Sequence, residues 1–183
     1  MIAPRLIRLQ RRRRGWNHPR AILALTLLGL GCVGLTMFVR PAPLLLWNAS
    51  ASAPRGFYRV MASQSVRRGD MVLVRTPESV RDLAAERGYL PSTVPLVKRV
   101  AAVGGDVVCG LDDTVIINGE TVATRLTRDR LGRSLPHWDG CRTLQADELF
   151  LLMAAVPDSF DSRYFGPVPS SAVIGRLVPL WTE

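Results

Sequence analysis

The chain has 183 residues, 48% of them hydrophobic, and a formal net charge of +9. That length allows one modest domain beside a membrane segment, and the hydrophobic fraction is enough to bury a real core. The charge points at first to nucleic acid, but its distribution argues against that partner: residues 1–20 carry seven arginines and no acid, leaving 17 basic against 15 acidic residues in the rest.

The basic tail, residues 1–20, runs into Ala21 to Val39, which is 19 residues without a charge. At 1.5 Å per residue such a helix is about 28 Å long, enough for a hydrocarbon core. Seven arginines before this segment and one just after it predict a cytoplasmic N-terminus, a single pass over 21–39, and an exported body over 40–183. The rival reading is a cleaved signal peptide, with Ala-Ser-Ala around residues 49–53 as a cleavage-like site. The apolar run is longer than a usual signal core and ends well before that tripeptide, so the anchor is the preferred reading.

Beyond the anchor, Pro41 and Pro43 end the helix or begin a connector. Leu44 to Trp47 suits either a membrane interface or an ordinary core. Asn48 to Gly56 is rich in Ser, Ala, Pro and Gly, a composition for a tight exposed turn. Phe57 to Met61 and Met71 to Arg75 read as strands joined by a turn over Arg67 to Asp70. Thr76-Pro77-Glu78 predicts a helix start, with Thr76 as cap and Pro77 as the first helical residue. Val80, Leu83 and Ala84 give that helix an apolar face, and Gly88 stops it.

Val94 to Val103 returns to strand, and period two puts Val94, Leu96, Lys98 and Val100 on one face. Arg99, on the other face, turns to solvent or a salt bridge. Asp113 to Val122 is a hairpin closed by Asn118-Gly119. Arg125 to Gly140 reads as a long exposed loop, Glu148 to Ala154 as a buried strand, Ser159 to Pro167 as a polar loop, and Val173 to Leu180 as a closing strand. Short strands with one helix predict a mainly β, antiparallel body.

Three cysteines are present. Cys32 lies in the apolar run and is expected to pack there. Cys109 and Cys141 fall on the exported side, where disulfides persist, and a bridge between them is expected. Its loop would contribute roughly 3–4 kcal/mol in the chain-entropy model. A zinc site would want more ligands than these two and His137, and no metal or organic cofactor is implied.

Lys98 is the only lysine among the 24 basic residues. Arginine keeps its proton at any working pH, whereas a desolvated lysine can lose it. An arginine-rich coding bias is the plainer account of that count, and a snorkelling lysine on an edge strand the plainer account of its position. Of the two histidines, His18 is in the tail and His137 in a predicted loop. A serine nucleophile needs a base within reach, and Ser52 with Lys98 is a second way to supply one.

Ser50-Ala51-Ser52-Ala53-Pro54, then Lys98-Arg99 with Gly105-Asp106, then Ser159-Phe160-Asp161-Ser162-Arg163 with Gly166, follow the order and rough spacing of type I signal peptidases. Within that family the chain resembles the TraF-like branch, conjugative-transfer peptidases that mature pilin subunits. The resemblance covers about residues 21–181. It implies a signal-peptidase-like β domain with Ser52 as nucleophile, Lys98 as general base, Ser50 as an oxyanion donor and Ser159 as the hydroxyl that orients the lysine. It also implies Asp161 as an acidic residue the branch needs, with Arg163 as its ion-pair partner; a purely structural salt bridge is the alternative. Ala53 stands where bacterial signal peptidases usually have methionine, Gly104 where a proline is common, and Val156-Pro157-Asp158 where Gly-Asp-Asn-Arg usually leads.

The expected activity is a Ser-Lys endopeptidase acting on an exported pilin precursor, by hydrolysis or by head-to-tail cyclisation through an acyl-enzyme. The alternatives are a general leader peptidase and a non-catalytic, membrane-anchored assembly module.

Overall fold

The computed structural model describes residues 19–38, 43–62 and 65–183. They fall in two units, one ending at Pro41 and one beginning at Ala42. In the first, α1 runs over Pro19–Phe38. It has proline in its first turn, where the missing N–H costs nothing. Leu23, Leu28 and Leu35 are each at least 60% exposed, and Cys32, expected to be packed, is free and exposed. Among the described residues no helix is long and apolar enough to cross a membrane. The arginine run over 11–14 and Pro41, the first of the two connector prolines, lie outside the described residues.

The second unit is built from β1 (Leu45–Asn48), β2 (Gly56–Met61), β3 (Met71–Val74), α2 (Glu78–Glu86) and β4 (Leu96–Val103). β5 (Val107–Leu111), β6 (Thr114–Ile117), β7 (Glu120–Thr124) and β8 (Gly140–Thr143) follow. β9 (Glu148–Leu151), α3 (Ser162–Phe165), β10 (Val168–Pro169) and β11 (Val173–Thr182) complete it. These strands pair antiparallel throughout, in a seven-stranded sheet ordered β1-β2-β11-β3-β4-β9-β10 and a four-stranded sheet ordered β7-β6-β5-β8. The body is mainly β, as the run of short strands predicts.

The period-two pattern explains which face goes where. β2 alternates buried and exposed residues along Gly56–Met61, whereas all four residues of β3 are buried because it lies inside the sheet. Tyr58, Val60, Leu73, Val97 and Leu177 pack into one cluster. Val72, Val74, Val100 and Leu151 form another. A third, with Ala102, Val108, Val115, Phe150 and Leu152, draws on both sheets. Asn118 (φ 51) and Gly119 (φ 86) make the two-residue turn between β6 and β7, with Ile117 opposite Glu120. Positive φ at both turn positions suits the twist of a hairpin, and asparagine and glycine tolerate it best. Cys109 and Cys141 face each other across β5 and β8 and form a disulfide.

Four local expectations change. α2 begins one residue later than the sequence suggests, with Pro77 at the cap and no side-chain capping bond. Thr76 Oγ1 is buried without a hydrogen-bond partner among the described residues. Leu44 to Trp47 contributes to a strand, β1, at the sheet edge. The segment opening at Arg125 is not wholly exposed: Arg125 is buried and bonds the Asp112 carbonyl (2.6 Å), the Trp138 carbonyl and the Asp139 carboxylate (2.7 Å). The predicted polar loop at Ser159 contains a helical turn, α3, and Ser159, Asp161, Ser162 and Arg163 are all buried.

Candidate active site

Ser52 sits in the loop between β1 and β2. The two strands are paired up to Asn48 opposite Gly56, so the intervening loop is held at both ends. Gly56 has φ 147, and a Cβ there would lie 2.0 Å from the Trp181 carbonyl oxygen, so only glycine fits. Inside the loop the carbonyls point at one side chain. Asn48 Nδ2 donates to the carbonyls of Ser50 (3.3 Å), Ala53 (3.1 Å) and Pro54 (3.0 Å). Asn48 Oδ1 accepts from Ser50 N (3.1 Å) and Ser50 Oγ (2.8 Å). Tyr58, from β2, donates its hydroxyl to the Pro54 carbonyl at 2.7 Å. Ser50 Oγ and Ser52 Oγ are 3.2 Å apart.

Lys98 lies in the middle of β4, opposite Val72 of β3. Its neighbours on that face, Leu96 and Val100, are buried, and Lys98 is itself only 2% exposed. The alternation places it there, while Arg99 on the other face is exposed and donates to the Gly69 carbonyl at 2.7 Å. Lys98 Nζ donates to Ser159 Oγ at 2.7 Å. Burial lowers the Lys98 pKa from 10.5 to about 8; the Asp161 carboxylate opposes that shift and the Arg163 guanidinium adds to it. At pH 7 about one such amine in ten is neutral, against about one in 2,500 for a free lysine.

Asp161 and Arg163 form the framework behind this amine. Both are at most 1% exposed. Arg163 Nε bonds Asp161 Oδ1 at 2.8 Å and Nη2 bonds Oδ2 at 3.1 Å. The three remaining N–H groups are shared among four carbonyls, those of Thr124 and Pro157 on Nη1 and of Met153 and Val156 on Nη2, at 2.9–3.2 Å. Asp161 also accepts from Met153 N and Arg163 N. A guanidinium has five N–H groups in a rigid fork, and here each has an acceptor. The pair fixes the segment between β9 and α3 that carries Ser159, and the bonds just given reach neither Ser52 nor Lys98.

Ser50, Ser52, Lys98 and Phe160 line one pocket of about 400 Å³, which Tyr89 and Leu90 also line. Ser52 also borders a larger groove of about 970 Å³. At rest the partners are Ser52 with Ser50 and Lys98 with Ser159; among the described residues no hydrogen bond joins Ser52 to Lys98. Sequence reasoning singles out the serines, the lysine and the acid–arginine pair. It assigns no role to Asn48 or to the Tyr89–Phe160 ring contact, at 5.2 Å between centroids. Asn48 carries a readable signal, since asparagine commonly bonds the backbone two residues on. The ring contact carries none. His137, the alternative base, is exposed and lies 3.6 Å from Asp139 Oδ2.

Residues 18–181 match the family described as signal peptidase, peptidase S26. A plasmid transfer protein TraF of Escherichia coli is 34% identical over 145 residues, covering 74% of this chain and 81% of the relative. A conjugal transfer protein TraF of Agrobacterium tumefaciens (strain 15955) is 34% identical over 177 residues, covering 91% and 98%. The chain therefore belongs to the signal peptidase family, peptidase S26, in its TraF-like branch. A signal peptidase I from Enterococcus faecalis overlays 64% of the chain and all of its own length, at 24% identity and a TM-score of 0.39, too loosely to carry an argument.

Proposed function

We propose that this chain is a membrane-anchored serine endopeptidase with Ser52 as nucleophile and Lys98 as general base, which processes an exported pilin precursor for conjugative transfer. The observation that carries the reading is the one lysine: it is 2% exposed, its pKa is lowered to about 8, and it lines the same pocket as Ser52. A structural lysine would keep its head group in water. The names of the TraF relatives support the conjugative setting. The anchor rests on the seven arginines before the 19-residue uncharged run of the sequence, and the inner-membrane location on the likeness to the TraF relatives.

In the reaction, neutral Lys98 takes the Ser52 proton as Ser52 Oγ bonds the scissile carbonyl carbon. The carbonyl's electron pair moves onto its oxygen, where the Ser52 N–H and the Ser50 hydroxyl act as donors. When the tetrahedral species collapses, the C–N bond breaks and the Lys98 ammonium returns a proton to the leaving amine. Ser159 accepts one Nζ hydrogen and so aims the amine. Asp161 and Arg163 are positioning residues. The acyl-enzyme then passes to water, giving a linear chain, or to the substrate's own terminal amine, giving a ring.

Mass spectrometry of the candidate pilin with and without this chain tests the reading. A mass one water below the trimmed linear product indicates cyclisation, and the linear mass indicates hydrolysis. Processing that survives both Ser52→Ala and Lys98→Arg would refute the dyad and favour a non-catalytic module. Complementation of cells lacking their leader peptidase tests the general-peptidase alternative.

A further inference from the structure

The hydrogen bonds around Ser52 have a fixed direction. Asn48 Nδ2 faces three carbonyls, which only accept, and Asn48 Oδ1 faces the Ser50 backbone N–H, which only donates. The amide therefore has one possible orientation, and Oδ1 is an acceptor. Ser50 Oγ lies 2.8 Å from that oxygen and must be the donor. A hydroxyl has one proton, so Ser50 has none left for Ser52. Across the 3.2 Å between the two hydroxyls, Ser52 donates and Ser50 accepts. The order is Ser52 O–H to Ser50 O–H to Asn48 Oδ1. In this arrangement neither serine is set for reaction: the Ser52 proton points at Ser50 rather than at Lys98, and the Ser50 proton is held by Asn48 rather than free for an oxyanion.

We propose that Asn48 is a positioning residue that acts through Ser50, holding the Ser50 hydroxyl within reach of the reacting centre at rest and releasing that hydrogen bond when a substrate carbonyl arrives. This inference rests on the Ser52–Lys98 reading above and adds a step to it. As Ser52 Oγ bonds the carbonyl carbon, its proton passes to Lys98 Nζ. The Ser50 hydroxyl exchanges its bond to Asn48 Oδ1 for one to the newly formed oxyanion. The Asn48 amide stays in place, because its Nδ2 bonds to Ala53 and Pro54 do not change. No proton is gained or lost by Asn48. Its contribution is to place one hydroxyl, which then swaps one acceptor for another.

A double-mutant cycle on the full chain in detergent micelles tests this, using a fluorogenic alanine-rich peptide. Loss of cleavage in Ser52→Ala and in Lys98→Arg is established first, so that failure of the function and failure of this inference are read separately. Asn48→Ala is expected to lower kcat about 10-fold with KM changed less than about threefold, and Ser50→Ala to lower kcat about 100-fold or more. The Asn48→Ala, Ser50→Ala double variant is expected to match Ser50→Ala within about threefold, since the asparagine works through the missing hydroxyl. A purely structural asparagine would give losses that multiply, and that result overturns the inference.

A second measurement does not require the Asn48 variant to fold. On addition of an alanine peptide aldehyde, which Ser52 converts to a hemiacetal, the Asn48 side-chain amide resonance is expected to shift in the unmodified chain and to stay put in Ser50→Ala. Equal shifts in both proteins, or none in either, would count against the exchange.

Discussion

Replacing Lys98 by methionine separates what the lysine does for the reaction from what it costs the fold. Methionine keeps the length and apolar stem and removes the charge. With the folded pKa at about 8 against 10.5 for a free lysine, and about 1.4 kcal/mol for each tenfold change in proton affinity, burying the ammonium costs about 3 kcal/mol at neutral pH. The substitution removes that cost. It also leaves Ser159 Oγ without its lysine partner, at roughly 1–3 kcal/mol. The two effects nearly cancel at pH 7, so a single melting temperature there is uninformative.

The pH dependence is the discriminating quantity. Below about pH 8 both folded and unfolded wild-type chains carry the proton, and the penalty is present in full. Between about 8 and 10.5 the unfolded chain binds more protons than the folded one, so stability rises with pH and the penalty disappears. Tyr58 and Tyr164 work in the opposite direction at the alkaline end, because burial raises both pKa values. Both tyrosines are present in either chain, so the wild type minus Lys98→Met difference cancels them. Thermal melts of the two full chains in detergent, from pH 7 to 10.5, are expected to show the wild type gaining about 3 kcal/mol on the variant. That is roughly 6–12 °C in Tm for a protein of this size. A difference that stays flat across the interval would refute the buried-ammonium argument, whatever the activity of the variant. Peptide cleavage by Lys98→Met is expected to be lost at every pH.

Three further outcomes follow from the same geometry. The rate constant kcat/KM should rise about tenfold per pH unit up to about pH 8 and then level, since only the neutral amine accepts the Ser52 proton; Asp161→Asn, by removing the charge that raises the Lys98 pKa, should move that profile to lower pH, and should cost about 3–5 kcal/mol in a melt by leaving Arg163 unpaired. Replacing Cys109 and Cys141 together by serine should cost roughly 3–4 kcal/mol for a bridge spanning 32 residues, and an unchanged Tm would contradict it. Tyr58→Phe removes one donor from the Pro54 carbonyl; about 1 kcal/mol of stability should be lost, and kcat should fall more than KM changes as the Ser52 loop loosens.

The strands are legible in the sequence because their signals are local. Alternation along Leu96–Val103 is enough to put Lys98 on the face of Leu96 and Val100 and Arg99 on the opposite one, although Val97 on that opposite face is buried too, and Asn118-Gly119 announces its own turn. The polar segment at Ser159 is not legible in the same way. Taken alone, Ser159-Phe160-Asp161-Ser162-Arg163 looks like solvated loop, because five residues with one apolar side chain give no core-facing period. It is buried because acceptors arrive from outside it: the carbonyl of Thr124 from β7, and those of Met153, Val156 and Pro157 from the turn after β9. Burying an arginine is tolerable only when every donor is matched, and no residue spacing encodes four carbonyls converging on one point. The contact that matters most to the chemistry, Lys98 to Ser159, spans 61 positions. Period and turn rules do not reach that far; only likeness to a known family links the two. Asn48 is the opposite case. All five of its bonds lie within six residues, so its grip on the Ser52 loop follows from short-range chemistry that any asparagine ahead of a Ser-x-Ser-x-Pro turn can perform. It is easily passed over because it is not among the side chains that the family resemblance marks, although in the proposed order the Ser50 and Ser52 hydroxyl protons take their direction from it.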